Sequence, residues 1–296
     1  MSEDLKNQTL LCEKCPRRCK IDRSKCVGAC GVTDDITVAK VMLHMWEEPC
    51  ISGERGSGAV FFSGCPLGCV FCQNKEISHT GYGKAVDIAT LADIFTSLER
   101  DGAHNINLVS PTQFSDKIRE AIDIAKPKIP VVYNTGGYEL ASEIEKLRTY
   151  VDIFLTDIKY FSPELSKEYS KAPDYFEHAI SALEKMVELQ PRCVLDKNGI
   201  MQKGVILRHL VMPGARKDSM RILKEVKERI DISSVKLSLM SQYTPDFCDE
   251  KYKKIKRRIT SFEYDSVVEY ALSLGYEEGY IQEDSSATAL FTPRFH

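Results

Sequence analysis

The chain has 296 residues, 43% of them hydrophobic, and a formal net charge of −3 from 40 basic and 43 acidic residues. This length fits one large domain with a sizeable core, or a somewhat smaller domain with an added small module. The near balance of charge argues neither for nor against binding to nucleic acid or membranes. The apolar runs are only strand-sized, which argues against a transmembrane helix. Residues 1–8 lack the apolar stretch of a signal peptide, so we expect a cytoplasmic protein.

Cysteine is abundant, and its positions are clustered along the chain. The eleven cysteines form a group of five, a group of three and three singles. The grouped residues are Cys12, Cys15, Cys19, Cys26 and Cys30, and then Cys65, Cys69 and Cys72. In a reducing cytosol such clusters indicate metal binding rather than disulfide bonds.

The sequence predicts two regions, a cysteine-rich extension with a connector over residues 1–57 and a core over residues 58–296. Residues 1–35 are basic and lack periodicity, which is typical of short segments that a metal holds together. The connector contains a predicted strand at 36–44, followed by a glycine-rich stretch.

The extension carries enough cysteines for a metal site of its own. Cys12, Cys15, Cys19 and Cys30 would make one four-ligand site, with Cys26 spare. Zinc and a second iron–sulfur cluster both accept four thiolates, so either metal centre is possible. Nucleic acid is disfavoured as a partner of this basic stretch, because aromatic residues are not interleaved with the charges.

From residue 59 onward, short apolar runs alternate with helical patterns. The predicted strands are 60–63, 106–109, 131–133, 151–158, 205–211 and 235–240, and the predicted helices are 87–100, 115–125, 140–147, 175–189, 218–230 and 264–274. About six such alternations imply parallel strands with crossover helices. We therefore expect an α/β fold, an incomplete (β/α)6 barrel, although six units also fit an open sheet.

Polar residues follow most of the predicted strands. In parallel α/β folds the chemistry gathers at the carboxyl ends of the strands, which meet at one rim. The three-cysteine group follows the first predicted strand, and the polar candidates after later strands are Ser110, Thr112, Gln113, Asn134, Asp157, Lys159, Arg208, His209 and Gln242. Their recurrence predicts a single site at that rim.

The three-cysteine group has the spacing C-x3-C-x2-C. Three thiolates can hold three irons of a four-iron cluster and leave the fourth iron without a protein ligand. A structural metal site fills all four positions, and the nearest candidate for a fourth ligand here is His79. A zinc site, or part of a larger structural site, is the alternative interpretation.

The motif Cys65-Pro-Leu-Gly-Cys69-Val-Phe-Cys72 resembles the signature of the radical S-adenosylmethionine enzymes. The resemblance implies a [4Fe-4S] cluster on Cys65, Cys69 and Cys72, with S-adenosylmethionine bound at the open iron. It also implies a low-potential electron donor, such as flavodoxin or ferredoxin. Reductive cleavage of the bound nucleotide would yield a 5′-deoxyadenosyl radical, which abstracts a hydrogen atom.

Further segments are similar to the pyruvate formate-lyase activating enzyme group, including an uncharacterised branch of it. They are Val60-Phe-Phe-Ser-Gly, Asp157-Ile-Lys159, Leu207-Arg-His-Leu-Val-Met-Pro-Gly, Ser241-Gln242-Tyr243 and Asn134-Thr-Gly-Gly. The resemblance implies that Asp157 and Lys159 contact the cofactor, with Asn134 where the group usually has an aspartate. Ser110 and Thr112 stand where the group has Gly-Gly-Glu for the methionine amino group, so recognition of that amino group is built differently here.

Activation of a glycyl-radical enzyme is the leading functional hypothesis, with a glycine of a partner protein as the hydrogen donor. Hydrogen abstraction from a small metabolite or another peptide is the alternative within catalysis. Outside catalysis, the chain could be an iron–sulfur electron carrier or a zinc-stabilised RNA-binding protein. The position of the extension, ahead of the core rather than inserted after the cysteine motif, differs from activating enzymes with extra clusters.

Overall fold

The computed structural model describes residues 11–282 together with Pro293 and Phe295. The strands are β1 (Ile36–His44), β2 (Ser57–Phe62), β3 (Lys84–Val86), β4 (Ile106–Val109), β5 (Val131–Thr135), β6 (Ile153–Asp157), β7 (Val194–Leu195), β8 (Met201–Leu210), β9 (Val235–Met240) and β10 (Gly279–Ile281). The helices are α1 (Pro49–Ser52), α2 (Lys75–Thr80), α3 (Ile88–Arg100), α4 (Ser115–Ala125), α5 (Ala141–Glu145), α6 (Pro163–Ser170), α7 (Tyr175–Leu189), α8 (Arg216–Arg229) and α9 (Ser261–Ser273). None of these helices combines the length and the apolar character needed to cross a membrane.

One large sheet organises the described chain, in the order β10-β9-β8-β6-β5-β4-β2-β1-β3, with β7 added beside β8. The strands from β2 through β4, β5, β6, β8 and β9 to β10 pair in parallel, while β1 pairs antiparallel with β2 and β3. Within the described residues β10 and β3 do not pair, so the sheet stays open. The predicted incomplete (β/α)6 barrel is confirmed, and short β10 adds one more parallel strand.

Alternate side chains of β2 face two different cores, as expected for a strand covered on both sides. Val60 and Phe62 pack in the main cluster, together with the buried face of α3. Ala59 and Phe61 pack in a smaller cluster that also contains Phe295. The main cluster is therefore an outer core between the sheet and its helices, and the other face of β2 carries the smaller, inner cluster.

Helix α3 illustrates how the sequence determines where a helix begins and which of its faces is buried. Its N-cap Asp87 accepts a hydrogen bond from the backbone N–H of Thr90 at 2.7 Å, which satisfies one otherwise unpaired donor of the first turn. Apolar residues then recur at helical spacing and are buried against the sheet; they are Leu91, Ala92, Phe95 and Leu98. This helix was predicted with the same cap.

Strand β1 contains a register irregularity between Val38 and Lys40. A bulge shifts the following side chains to the opposite face. Val38 accordingly packs in the outer core, whereas Met42 packs in the inner cluster with Phe61. Beyond the bulge, Leu43 is left exposed on the outside.

The segment before β1, residues 11–35, contains turns and bends but neither helix nor strand. Salt bridges attach it to α4: Lys14 Nζ lies 2.6 Å from Asp116, and Lys117 Nζ lies 2.8 Å from Asp34. β1 itself belongs to the main sheet, and the division at residue 57 stays a prediction.

Candidate active site

A cavity of about 240 Å³ lies at the carboxyl ends of the parallel strands. This volume is just below the range of roughly 300–1,000 Å³ that is common for ligand pockets. Its wall includes the sequence-predicted residues Cys65, Cys69, Cys72, Ser110, Asn134, Asp157, Lys159 and Gln242. These strand ends therefore meet at one rim of the sheet.

The three cysteines of the motif share this cavity, and two of their sulfurs accept hydrogen bonds from serines. Ser170 Oγ donates to Cys69 Sγ at 3.0 Å, and Ser78 Oγ donates to Cys72 Sγ at 3.4 Å. Burial raises the pKa of Cys65 to about 12 and also raises that of Cys72. In the metal-free protein such thiols stay protonated at neutral pH, which argues against a nucleophilic role, and a bound metal would have to displace the protons.

Charged residues on the wall form one connected network. Arg208 Nε donates to Asp157 Oδ1 at 2.8 Å, and Lys159 Nζ donates to Asp157 Oδ2. Arg208 also donates to Glu47 Oε2 at 3.1 Å and to Asn134 Oδ1 at 2.7 Å. Both carboxylate oxygens of Asp157 are thus engaged by cations of the chain.

These contacts set the charge state of the network. Burial alone would raise the pKa of Asp157, but the charges of Arg208 and Lys159 outweigh it and hold that pKa below its usual value. For Lys159 the directions are opposite: burial alone would lower its pKa, but the charge of Asp157 outweighs burial and raises that pKa. The side chains of Asp157 and Lys159 are 11% and 17% exposed, so their ion pair is largely buried in the wall of the cavity rather than on the surface.

Thr112 does not reach this cavity. Its hydroxyl donates to Glu139 Oε1 at 2.5 Å, and the residue instead lines a second, smaller cavity beside the extension. Ser110 does line the site, but its carbonyl accepts a hydrogen bond from Gln113 Nε2 at 2.9 Å. The predicted joint use of Ser110 and Thr112 is therefore wrong for Thr112, because the 3₁₀ turn at Thr112–Phe114 turns its side chain toward Glu139.

Of three further charged residues near the site, Arg208 is one of the strand-end candidates of the sequence, whereas Glu47 and Glu139 were not predicted. Arg208 and Glu47 line the cavity, and Glu139 is buried behind it. Arg208 lies in the same segment as the quoted Pro-Gly motif, and Glu47 follows Trp46, at the carboxyl end of β1. Their common signal is a charged residue at or just after a strand end.

The cysteines of the extension surround the smaller cavity. Cys12, Cys15, Cys19 and Cys30 line it, whereas Cys26 is exposed and lies outside it. Among the described residues, no three His, Cys, Asp or Glu side chains are placed to hold a single metal ion as they stand. The structure thus brings together the four cysteines that the spacing predicted, and leaves the metal itself as a proposal.

A family model for the radical SAM superfamily matches residues 59–219, more than half of the chain. The chain belongs to the radical SAM superfamily. Enzymes of this superfamily use a [4Fe-4S] cluster and S-adenosylmethionine, and they generally need a reductant such as flavodoxin or ferredoxin. The match begins in β2, includes all three cysteines of the motif and ends in α8.

The chain is also similar to one protein sequence and to two solved structures. An uncharacterized protein of Methanocaldococcus jannaschii is 29% identical over 281 residues, which cover 91% of this chain and 76% of that one. Streptococcus suis SuiB bound to precursor peptide SuiA matches at 14% identity with a TM-score of 0.46, over 71% of this chain and 43% of SuiB. The radical S-adenosylmethionine methyltransferase TsrM of Kitasatospora setae, solved with cobalamin and a [4Fe-4S] cluster, matches at 14% identity with a TM-score of 0.45. That match covers 62% of this chain and 36% of TsrM, so the chain spans less than half of either solved structure.

Proposed function

We propose that the protein is a radical S-adenosylmethionine enzyme that removes a hydrogen atom from a glycine of a partner glycyl-radical protein. The observation that carries the catalytic part is the placement of Cys65, Cys69 and Cys72 on one cavity wall with the network of Asp157 and Lys159. A [4Fe-4S] cluster held by Cys65, Cys69 and Cys72 would supply one electron for the reductive cleavage of S-adenosylmethionine, with methionine and, after hydrogen abstraction from the glycine, 5′-deoxyadenosine as the products.

The residues of the wall would hold the cofactor in complementary ways. The Lys159 ammonium can pair with the methionine carboxylate, since its charge is kept by Asp157. Asn134 and Gln242 offer amide oxygens and N–H groups for the ribose or the methionine amino group. Asp157, already bound by two cations, would accept a further hydrogen bond without gaining a proton, because its pKa is held low.

A polypeptide substrate is supported by the surface next to the cavity. Trp46, which lines the cavity, is 61% exposed, and the neighbouring Met45 is 42% exposed. Contiguous exposed apolar side chains on a soluble protein usually mark a contact surface for another macromolecule. This patch is continuous with the proposed site, as a partner loop that presents a glycine would require.

Anaerobic reconstitution tests the catalytic part. With dithionite and S-adenosylmethionine, we expect the wild-type protein to release 5′-deoxyadenosine and Cys72→Ala to release none. Cys26→Ser, an exposed thiol outside both cavities, is the matched control and should behave as wild type. An intact cluster without any 5′-deoxyadenosine would favour the electron-carrier alternative.

Isotope transfer tests the substrate. A candidate partner with a glycyl-radical motif, produced with α-deuterated glycine, should pass deuterium into 5′-deoxyadenosine and show a glycyl radical by electron paramagnetic resonance. If 5′-deoxyadenosine forms from the complete mixture without deuterium or a protein radical, a small metabolite or another peptide becomes the better substrate.

A further inference from the structure

We propose that Cys12, Cys15, Cys19 and Cys30 bind a second metal centre, zinc or an iron–sulfur cluster, that holds the loop carrying Cys65 in place. All four thiols line one cavity of about 10 Å³ between the extension and the turn after β4. That space is about one water-sized sphere, so the four thiols would have to rearrange around a single ion, and a larger cluster would require them to move apart.

A buried cation at this cavity indicates that negative charge belongs there. Arg23 is only 4% exposed; it donates through Nη1 to the carbonyl of Gln113 at 2.7 Å and through Nη2 to that of Thr33. Its Nε has no hydrogen-bond partner, and within the described residues no carboxylate forms a salt bridge with it. A buried guanidinium without an anion is costly.

Metal-bound thiolates would supply that anion. The Nε of Arg23 and the sulfur of Cys30 both lie near the same point beside Gly28, at 3.8 Å and 3.3 Å from where a Cβ would stand. Four thiolates around one divalent ion, or around a cluster of charge +2, carry a net charge of −2. The unpaired N–H would then face an anionic sulfur.

Hydrogen bonds connect this centre directly to the loop of the main site. The carbonyl of Cys30 accepts from the backbone N–H of Cys65 at 2.9 Å. Arg23 holds the carbonyl of Gln113, whose own amide donates to the carbonyl of Gly64 at 3.1 Å. Two independent paths therefore run from the extension to the two residues at the start of the cysteine loop.

A third connection reaches beyond Cys65. Arg17, on the turn between two proposed ligands, donates through Nε to the carbonyl of Pro66 and through Nη2 to that of Ser170, both at 2.8 Å. Ser170 is the residue whose hydroxyl donates to Cys69. Ordering of the extension by a metal would thus fix both sides of the loop that carries the three cysteines.

Metal analysis tests the centre itself. The variant Cys65→Ala/Cys69→Ala/Cys72→Ala removes the main motif, so any metal that remains belongs elsewhere. We expect this variant to retain one zinc or about four irons per chain. Adding Cys19→Ser should abolish that metal, whereas adding Cys26→Ser should leave it unchanged. If the triple variant held the same amount of metal with Cys19→Ser as with Cys26→Ser, or no metal with either, the proposed second metal centre would be overturned.

The rate of iron release tests whether the second metal centre holds the loop that carries Cys65. This test rests on the proposed function, because it requires a cluster at Cys65. In the otherwise intact protein, Arg17→Gln removes charge-assisted hydrogen bonds and should speed cluster loss to a chelator about tenfold. Arg18→Gln, on an exposed neighbour, is the matched control and should lose iron at the wild-type rate. Circular dichroism checks that each variant is folded.

The two tests separate this inference from the proposed function. Metal that depends on Cys19 in the triple variant supports the centre even if the intact protein never cleaves S-adenosylmethionine. Wild-type rates of iron release in both Arg17→Gln and Cys19→Ser would overturn the holding role.

Discussion

Asp157 and Arg208 are register partners on the adjacent parallel strands β6 and β8, and the Nε of Arg208 donates to Oδ1 of Asp157 at 2.8 Å. The same guanidinium reaches Asn134 on β5 and Glu47 in the loop after β1. A single side chain thus ties together three strands and the loop after β1. Planar guanidinium geometry suits this better than an ammonium, since it offers several donors in fixed directions.

Replacing Arg208 should damage both stability and cofactor binding. Arg208→Gln leaves Asp157 with one cation and leaves Glu47 without a salt bridge among the described residues, so we expect a loss of about 3 kcal/mol or more in the free energy of unfolding. Urea denaturation measures that loss, and equilibrium binding of S-adenosylmethionine should weaken in parallel. Lys203→Gln, an exposed cation on the same strand, is the control. Equal stability of the two variants would contradict a central role for Arg208.

Glu139 should make stability fall as the pH rises. Burial raises its pKa from 4.5 to about 7, and hydrogen bonds from Thr112 and Thr135 offset this only in part. The native state then keeps a proton between about pH 4.5 and 7 that the unfolded chain has released, so stability is lost as pH rises through this window. Glu139→Gln cannot titrate and should lack this loss.

Chemical denaturation at pH 5 and pH 8 checks this expectation. The wild-type protein should lose about 2 kcal/mol more than Glu139→Gln between the two pH values. Glu177→Gln, an exposed carboxylate on α7, should follow the wild-type profile. Parallel profiles for wild type and Glu139→Gln would show that this carboxyl does not titrate as argued.

Local patterns predicted the larger helices and strands well. The bounds of α4, α7 and β9 match the predicted ranges, because their apolar residues recur at regular spacing and are buried. The short helices α2 and α6 were missed, since each offers little more than one or two turns of periodicity. The strand β10 has three residues, mostly exposed, and gives no apolar pattern.

The sequence could predict which residues share the site, but it could not predict which of them contact one another. The cysteine motif and the strand-end rule placed Cys65, Asp157 and Lys159 on one cavity. The sequence could not show that Arg208 forms an ion pair with Asp157, because this pairing depends on the register between β6 and β8. Nor could it show that Thr112 turns to Glu139, which depends on a local turn rather than on strand alternation.

Gly137 is expected to tolerate no side chain. Its φ is +82°, and a Cβ there would lie 2.1 Å from the carbonyl oxygen of Asp157 and 3.0 Å from the Tyr175 hydroxyl. Gly137→Ala should therefore displace the end of β6 and cost more than about 3 kcal/mol in urea denaturation. Gly102→Ala isolates the backbone contribution, because its φ is +86° with nothing within 4 Å, and should cost about 1 kcal/mol. Similar losses for both variants would show that the contact with Asp157 relaxes freely.

Glu263 should protect the protein against acid. Hydrogen bonds from Arg257 lower its pKa to about 2, helped by the backbone N–H groups of Thr260 and Gly214. The unfolded chain takes up its proton near pH 4.5, so the stabilisation is complete above that value and is lost as pH falls toward 2.

Glu263→Gln removes this carboxylate and weakens the capping box of α9, so we expect a loss of about 2 kcal/mol at pH 7. From pH 5 to pH 3 the wild-type protein should lose about 2 kcal/mol more than the variant, because only the wild-type carboxylate takes up a proton on unfolding. Glu269→Gln, exposed on the same helix, controls for the change of net charge. If wild type and Glu263→Gln lost stability equally over this range, the pKa of Glu263 would not be lowered in the folded protein.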